Sequence, residues 1–453
     1  MTISSTASVI GLTGPFGSGC TTAAKILTTS RGYKSLRLSS MIYERWKAKN
    51  PRREPSRAEL QASGNEIRLN AKNPGALAQL AIGELERDTK QRTSIVIDGI
   101  RNVGEIEVLR DRFGRRFFLL ALECPASERW QRVSGSYEAN NLTREDFLRD
   151  NERDRLQEYA HGQQVQLCVD RADVLLRNDK HLKGDKFRSL SKKLLEYLDL
   201  VTGVTPRYAK PAEILMNLAY SASHGSKCLK RQVGALLVAA NPNAMGEVVG
   251  QGFNENPIGT APCVEESRYG ANAKRKVPGA CYRDIVRQRA FVELARLKRR
   301  CPECGQTITE PIAALPPWRC GACGADLEDF FWPERAMTLC TAVHAEVAAI
   351  LAAGSRARGT TLYTTTFPCF QCAEKIAQAG IKHIIFTEPY PDIRAAERLE
   401  IAHIEIERFE GIRSGRFDDI FSKARPYISE QQKVSAVKKR VSSSFDLQGE
   451  SQP

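Results

Sequence analysis

His344-Ala345-Glu346 and, 22 residues past Glu346, Pro368-Cys369-Phe370-Gln371-Cys372 decide how this chain is read. One imidazole and two thiolates can hold a zinc ion through three ligands and leave its fourth position to water. The carboxylate of Glu346 stands one residue beyond the imidazole, placed to carry that water's protons. Thr341 to Gly354 reads as an apolar helix with a glycine stop, and Phe370 to Gly380 as a second helix entered through Pro368. Between them Gly359 to Thr366 reads as a strand. Residues two apart do not share a face in mid-helix, but in a first turn their side chains can converge over the helix end. Two helix N-termini aimed at one metal would also stabilise thiolates. A purely structural zinc site would want a fourth protein ligand, and none stands inside this pair of motifs.

The totals bound the rest. At 453 residues the chain is expected to hold two or three domains. No apolar run is long enough to cross a membrane, and no basic leader precedes an apolar stretch, which points to a cytoplasmic protein. Thirteen cysteines without a secretion signal argue for metal ligands and reduced thiols. Lys and Arg number 67 against 53 Asp and Glu, a net charge of +14 that favours phosphate-bearing partners. A solvated basic surface is an equally good account of most of these charges.

In chain order, Val9 to Thr13 is a short buried strand, followed by Gly14-Pro15-Phe16-Gly17-Ser18-Gly19-Cys20-Thr21-Thr22 and then a helix from Ala23 to Thr29. Strand, glycine-rich turn and helix form the context of a P-loop, in which backbone N–H groups cradle phosphate. The candidate nucleotide-binding residues are Gly14, Gly17, Ser18, Gly19, Cys20, Thr21 and Thr22, with Thr21 at the magnesium-ligand position. The lysine position holds Cys20, so the point charge that reaches the outer phosphates is missing; Lys25 or a lid arginine could substitute. Residues 8–200 resemble the P-loop nucleoside and nucleotide kinases. Arg57 to Arg68 has the look of an acceptor-side helix, and Ser94 to Arg101 of a buried strand ending in Asp98 and Arg101. Arg116 to Glu123 is another strand. Thr143 to Glu158 could be a lid, although an exposed helix rich in i,i+4 pairs is the better reading. Alternating strand and helix predict a doubly wound parallel sheet, closed by a helix from Asp185 to Leu200 and followed by a linker at Val201 to Pro206.

Beyond the linker, Ala212 to His224 reads as a helix, and Arg231 to Ala239 and Gly246 to Phe253 as strands joined by a turn. An insertion from about Pro257 to Met337 carries Cys301-Pro302-Glu303-Cys304 and Cys320-Gly321-Ala322-Cys323, separated by 15 residues. That spacing predicts a zinc ribbon, a closed four-thiolate structural site. Ala280 to Arg300 reads as a basic helix leading into it, which keeps nucleic-acid binding by the ribbon open. Cys263, Cys281 and Cys340 are expected to be small buried thiols. Asp392 to Ala402 suggests a helix and Ile404 to Phe409 a strand. From about Glu430 apolar periodicity is lost, which predicts a disordered tail.

The combination H-x-E…P-C-x-x-C is the recognised signature of the zinc deaminases. Together with Ser226 to Ala235, Gly252-Phe253-Asn254-Glu255-Asn256-Pro257 and Ala379 to Ile385, it resembles the deoxycytidylate deaminase family over residues 210–410. The resemblance implies a cytidine-deaminase-like α/β/α sandwich. It further implies zinc on His344, Cys369 and Cys372, Glu346 as the catalytic residue, and substrate contacts from Asn254, Lys230, Arg231 and Tyr390. Asn254 would contact the sugar, Lys230 and Arg231 the 5′-phosphate side; turn capping, solvated charge and packing are their ordinary alternatives. The expected domains are 1–203, P-loop kinase-like; 204–428, deaminase, with the insertion at about 257–337 and the ribbon at 301–323; and a tail, 429–453. The fusion of the two halves resembles the anti-phage dCTP deaminases of bacteria. That implies conversion of dCTP or dCMP to dUTP or dUMP, a nucleotide effector with Mg2+ at the P-loop, a homo-oligomer and an inhibitory RNA partner. A deaminase of tRNA or single-stranded DNA, a nucleotide-switched sensor led by the P-loop half, and a housekeeping dCMP deaminase are the rival readings.

Overall fold

A computed structural model of the chain describes residues 7–87, 93–139, 142–155, 160–179, 189–239, 245–263, 267–269, 276–278, 281–285, 300–301, 303–307, 319–325, 340–390 and 393–422. The expected disordered tail and most of the basic helix at 280–300 lie outside them. The chain divides into two units, Met1–Lys210 with Glu410–Pro453, and Pro211–Phe409.

The first unit alternates strand and helix: β1 (Val9–Thr13), α1 (Cys20–Arg31), β2 (Lys34–Arg37), α2 (Leu38–Lys49), α3 (Arg57–Asn70), α4 (Ala76–Arg87), β3 (Ile95–Asp98), α5 (Val103–Phe113), β4 (Phe117–Glu123), α6 (Ala126–Glu138), α7 (Arg144–Arg155), α8 (Val165–Asp170), β5 (Val174–Arg177) and α9 (Leu190–Val201). β1 is buried throughout and lies between β3 and β4, both parallel to it. Ile10, Leu12, Val96 and Leu120 pack on the face that carries α1 and α9. Alternate residues such as Ile97 and Leu119 are equally buried, as strands with both faces covered require. This is the doubly wound parallel sheet that the alternation predicts. The loop after β1 therefore opens at the carboxyl end of a central strand, where such sheets bind ligands.

α7 departs from the expected exposed helix. Its pairs are spaced i,i+3, as in Arg149–Asp146 and Arg155–Glu152. Phe147 and Asp154 are buried, Phe147 against Trp130 and Tyr137 and Asp154 among side chains from α3 and the β3–α5 turn.

The second unit holds α10 (Pro211–Ser223), β6 (Gly234–Ala239), β7 (Glu247–Phe253), a small pair β8 (Ser267–Tyr269) and β9 (Lys276–Pro278), α11 (Ala345–Ala353), β10 (Thr361–Thr366), α12 (Phe370–Ala379), β11 (His383–Glu388), α13 (Ile393–Ile401) and β12 (Glu405–Arg408). Its sheet runs β12-β11-β10-β6-β7. The first three strands are mutually parallel, and β6 is antiparallel to both its neighbours. Ala235, Leu237, Leu362 and Ile384 bury one face beneath α11, α12 and α13. Gly234 faces the other way, onto the backbone of Ala219 in α10. Helices on both faces make the α/β/α sandwich.

After β12 the chain leaves this unit earlier than the expected boundary at 428. Glu410 ion-pairs with Lys193 at 2.7 Å. β13 (Gly411–Ile412) then adds an antiparallel edge strand to β5, and α14 (Ser414–Phe421) follows. Two residues of strand carry no period that could be read in the sequence.

α11 lies unusually close to β7. A Cβ on Gly252 would meet the Ala345 carbonyl oxygen at 2.5 Å, and one on Gly250 would strike the backbone of Ala349. The bare backbone at these positions is what lets the helix settle on the strand. Gly252→Val is expected to cost about 1–3 kcal/mol through overpacking and to displace the start of α11. A lowered thermal midpoint together with reduced metal content would register it; an unchanged midpoint would show that the contact is slack.

Candidate metal centre and nucleotide pocket

The expected helix from Thr341 begins late. Val343 is drawn instead into a two-way bridge with Glu255, with N···O distances of 2.7 and 3.1 Å. His344 thereby becomes the extended N-cap of α11, with Glu346 in its first turn. β10 delivers the other half. Phe367 still donates to the Glu388 carbonyl at 2.8 Å, Pro368 ends the ladder, and Cys369 is the N-cap of α12. Side chains at these positions lie over the helix ends.

His344 Nδ1 stands 3.2 Å from Cys372 Sγ and 3.4 Å from Cys369 Sγ. The three donor atoms lie within 4.8 Å of one another. Glu346 is only 4% exposed, and its Oε2 accepts from Cys372 Sγ at 3.4 Å. Burial pushes the Glu346 carboxyl up. The hydrogen bonds from Cys372 and His344 pull the Cys369 thiol down to about 4, whereas donation to Cys369 holds Cys372 well above its usual range. Contacts with Cys340, then Cys369, raise His344 to about 10. These groups share protons that a cation would replace, because thiolates and neutral imidazole are the metal-binding forms. A donor set of one nitrogen and two sulfurs fits zinc.

Cys301, Cys304, Cys320 and Cys323 likewise bring four sulfurs within 4.8 Å. Each pair sits in a tight knuckle: Gly305 and Gln306 bond back to Cys301, and Gly324 and Ala325 to Cys320, at 2.8–2.9 Å. This donor set also fits zinc.

The residues expected to contact substrate are engaged elsewhere. Asn254 Oδ1 accepts from the Val233 N–H at 2.7 Å, and its Nδ2 donates to the Arg231 carbonyl at 2.9 Å. It is the turn-holding alternative that the geometry favours. Lys230 Nζ pairs with Asp284 at 2.5 Å and Arg231 with Glu388 at 3.8 Å. Tyr390 packs on the apolar cluster beneath α11 to α13. Cys263, Cys281 and Cys340 are half-buried rather than buried. With Cys228 they line a cavity of about 360 Å³ beside Asn254 and Ala342. Cys340, left without a role by the sequence, hydrogen-bonds His344. Residues 340–344 are not helical, so their spacing gave no signal for this contact.

In the first unit, the loop from Gly14 to Gly19 borders a cavity of about 1160 Å³. Gly19 holds φ +108, and a Cβ there would meet Asn178 Nδ2 at 2.5 Å, which glycine alone avoids. The Phe16 carbonyl accepts from Arg129, that of Gly17 from Arg132, and that of Ser18 from Asn178. In a trans peptide the N–H points opposite to the C=O, so the N–H groups of Gly17 and Gly19 face away from these holders. Thr21 Oγ1 donates to Asp98 Oδ2 at 3.0 Å. Burial, with Asp98 nearby, pushes the Cys20 thiol up to about 12, so it is neutral. Lys25 is exposed and absent from the cavity wall.

Residues 209–388 match the family model described as the cytidine and deoxycytidylate deaminase zinc-binding region. A deoxycytidylate deaminase of Schizosaccharomyces pombe is 25% identical over 324 residues, covering 70% of this chain and 77% of that protein. Pro211–Phe409 spans only 199 residues (409 − 211 + 1), so this similarity reaches into the first unit. The deoxycytidylate deaminase of Enterobacteria phage T4 is 28% identical, over 40% of this chain and 78% of that one. A UPF0200/UPF0201 protein of Archaeoglobus fulgidus is 29% identical over 28% of this chain and 38% of its own.

If Asn254 serves the fold, Asn254→Ala should cost about 1–3 kcal/mol by leaving two backbone groups unpaired, seen as a lower thermal midpoint without substrate. A role confined to substrate would leave that midpoint in place and raise KM alone.

Proposed function

We propose that this chain, a zinc-dependent deaminase of the cytidine and deoxycytidylate type carried behind a P-loop kinase-like unit, hydrolyses the amino group from deoxycytidine nucleotides. The observation that carries the reading is the convergence of His344, Cys369 and Cys372 with the buried Glu346 beside them. His344, Cys369 and Cys372 would hold the catalytic zinc, and the four ribbon cysteines a second, structural one. Zinc bound at the first site would supply the Lewis acidity that makes water nucleophilic near neutral pH. Glu346 takes the proton released by the attacking water and delivers it to N3 of the cytosine ring. Attack falls at C4; Glu346 then takes the second proton from the hydroxyl now on C4 and passes it to the departing amine, leaving the C4 carbonyl. Cytosine and water go in; uracil and ammonia come out. A carboxyl whose affinity for protons is raised by burial suits such two-way transfer.

The substrate is dCMP, dCTP or both. The named deaminase relatives support the deoxycytidylate class. The fused P-loop unit supports a regulated enzyme that lowers dCTP in anti-phage defence, with a nucleotide and Mg2+ at Thr21 and Asp98 as effector. A net charge of +14 suits an inhibitory RNA partner. No helix among the described residues is long and apolar enough to cross a membrane. A cytoplasmic homo-oligomer completes the reading.

Glu346→Gln is expected to keep its zinc and lose at least about 100-fold in ammonia release, assayed on dCMP, dCTP and cytosine-bearing oligonucleotides. Wild-type turnover limited to oligonucleotides would transfer the assignment to polynucleotide deamination, and near-normal turnover in Glu346→Gln would remove the proton carrier. Metal analysis should return two zinc ions per chain, one after Cys369→Ser and one after Cys304→Ser. A full complement in Cys369→Ser would refute its ligand role.

A further inference from the structure

The P-loop unit lacks its lysine, yet its cavity wall is rich in arginine. Most of these side chains are committed. Arg132 holds a loop carbonyl, Arg68 is buried against Glu105 at 2.7 Å, and Arg37 lies 3.3 Å from Asp98. Arg57 and Arg101 differ. The Arg57 guanidinium stacks 3.7 Å from the centroid of Phe16, inside the P-loop itself. Arg101, three residues past Asp98, lines the same cavity as Cys20 and the loop. Both arginines converge on one carboxylate, Asp154 of α7. Arg101 Nη1 meets Asp154 Oδ2 at 2.8 Å, Arg57 Nη2 bonds the same oxygen, and Gln61 bonds Oδ1. Asp154 is 1% exposed, whereas the side chains of Arg57 and Arg101 keep about a quarter of their surface open to the cavity.

Two guanidinium groups that line the cavity below a phosphate-type loop and share one buried carboxylate are an arrangement of charges that an incoming phosphate could enter. Resting on the reading that this unit binds a nucleotide, we propose that Arg101, with Arg57 beside it, supplies the phosphate-facing cation that position 20 lacks, and that Asp154 is the internal counter-ion a bound phosphate competes with. The cation thus comes from the β3–α5 turn, not from α1 or a lid. A guanidinium offers bidentate contacts to phosphate oxygens that a lysine cannot. It is also tied through Asp154 to α7, so occupancy of the loop is felt there. Binding is favoured over transfer, since the ammonium that tracks a migrating phosphoryl group is replaced by an uncharged thiol.

The test is calorimetric titration of the full chain with MgATP and, separately, with magnesium tripolyphosphate. Wild type should bind, Arg101→Ala should weaken binding at least tenfold, and adding Cys20→Lys to Arg101→Ala should restore most of it. Asp154→Asn should tighten binding threefold or more. Because Arg101→Ala leaves a buried charge unpaired, the doubly neutral Arg101→Gln with Asp154→Asn serves as the folded control, checked by its thermal transition, and should bind as weakly. Undiminished affinity in that double variant would overturn the role of Arg101, and unchanged or weaker binding in Asp154→Asn would overturn that of its counter-ion. If wild type binds neither probe, the nucleotide reading of the unit falls and this inference with it.

Discussion

How near α11 can come to β7 governs the metal-type site. A side chain at Gly250 or Gly252 would collide with the helix backbone, so the strand presents peptide rather than methyl groups and the helix rests directly on it. From that contact the rest follows locally. The bridge between Val343 and Glu255 stops the helix from starting sooner, and His344 is left as its cap. On the neighbouring side, the parallel pairing of β10 with β11 fixes where Pro368 turns the chain and where Cys369 caps α12. One helix start is thereby fixed by a backbone bridge and the other by a strand ladder. Rigid elements hold a constellation of donors more accurately than mobile ones.

What could be read in the sequence was whatever depends on near neighbours along the chain. The strand–turn–helix around Gly14 to Thr22, the two motif helices and the buried strands all carry local periods or punctuation, and the structure follows them within a few residues. The sites where reading failed depend on partners far away. Asp154 looks like one of many charges in a polar helix until Arg57, 97 residues earlier, and Arg101 are seen around it. The Asn254 amide spans Arg231 to Val233, 23 and 21 positions earlier, a bond pattern no local signal announces. The return of the chain to the first sheet at Gly411 is a two-residue event and leaves no pattern to find. Charge and amide side chains are decided by tertiary context, apolar periodicity is not.

The two units place cysteine in nearly the same local setting and obtain opposite chemistry. Cys20 opens α1 and Cys369 caps α12, so both feel the positive end of a helix, which by itself favours thiolate. Cys369 is drawn down to about 4, chiefly by the hydrogen bond from Cys372 and then by His344. Cys20 is driven up to about 12, chiefly by burial and then by Asp98. The helix terminus therefore does not decide the outcome; the nearest hydrogen-bond donors and charges do. At Cys369 the surroundings prepare a soft anionic ligand, which is what a zinc ion selects. At Cys20 they keep the sulfur neutral, in a loop whose backbone N–H groups are directed away from their arginine and asparagine supports. A charge must then come from elsewhere to balance any phosphate held there. Arg57, stacked on Phe16 of that loop, and Arg101 line the same cavity and share Asp154. The same physical rule, that a thiol takes the protonation its neighbours impose, sets a thiolate-prone cysteine and a neutral one at two helix starts within a single chain.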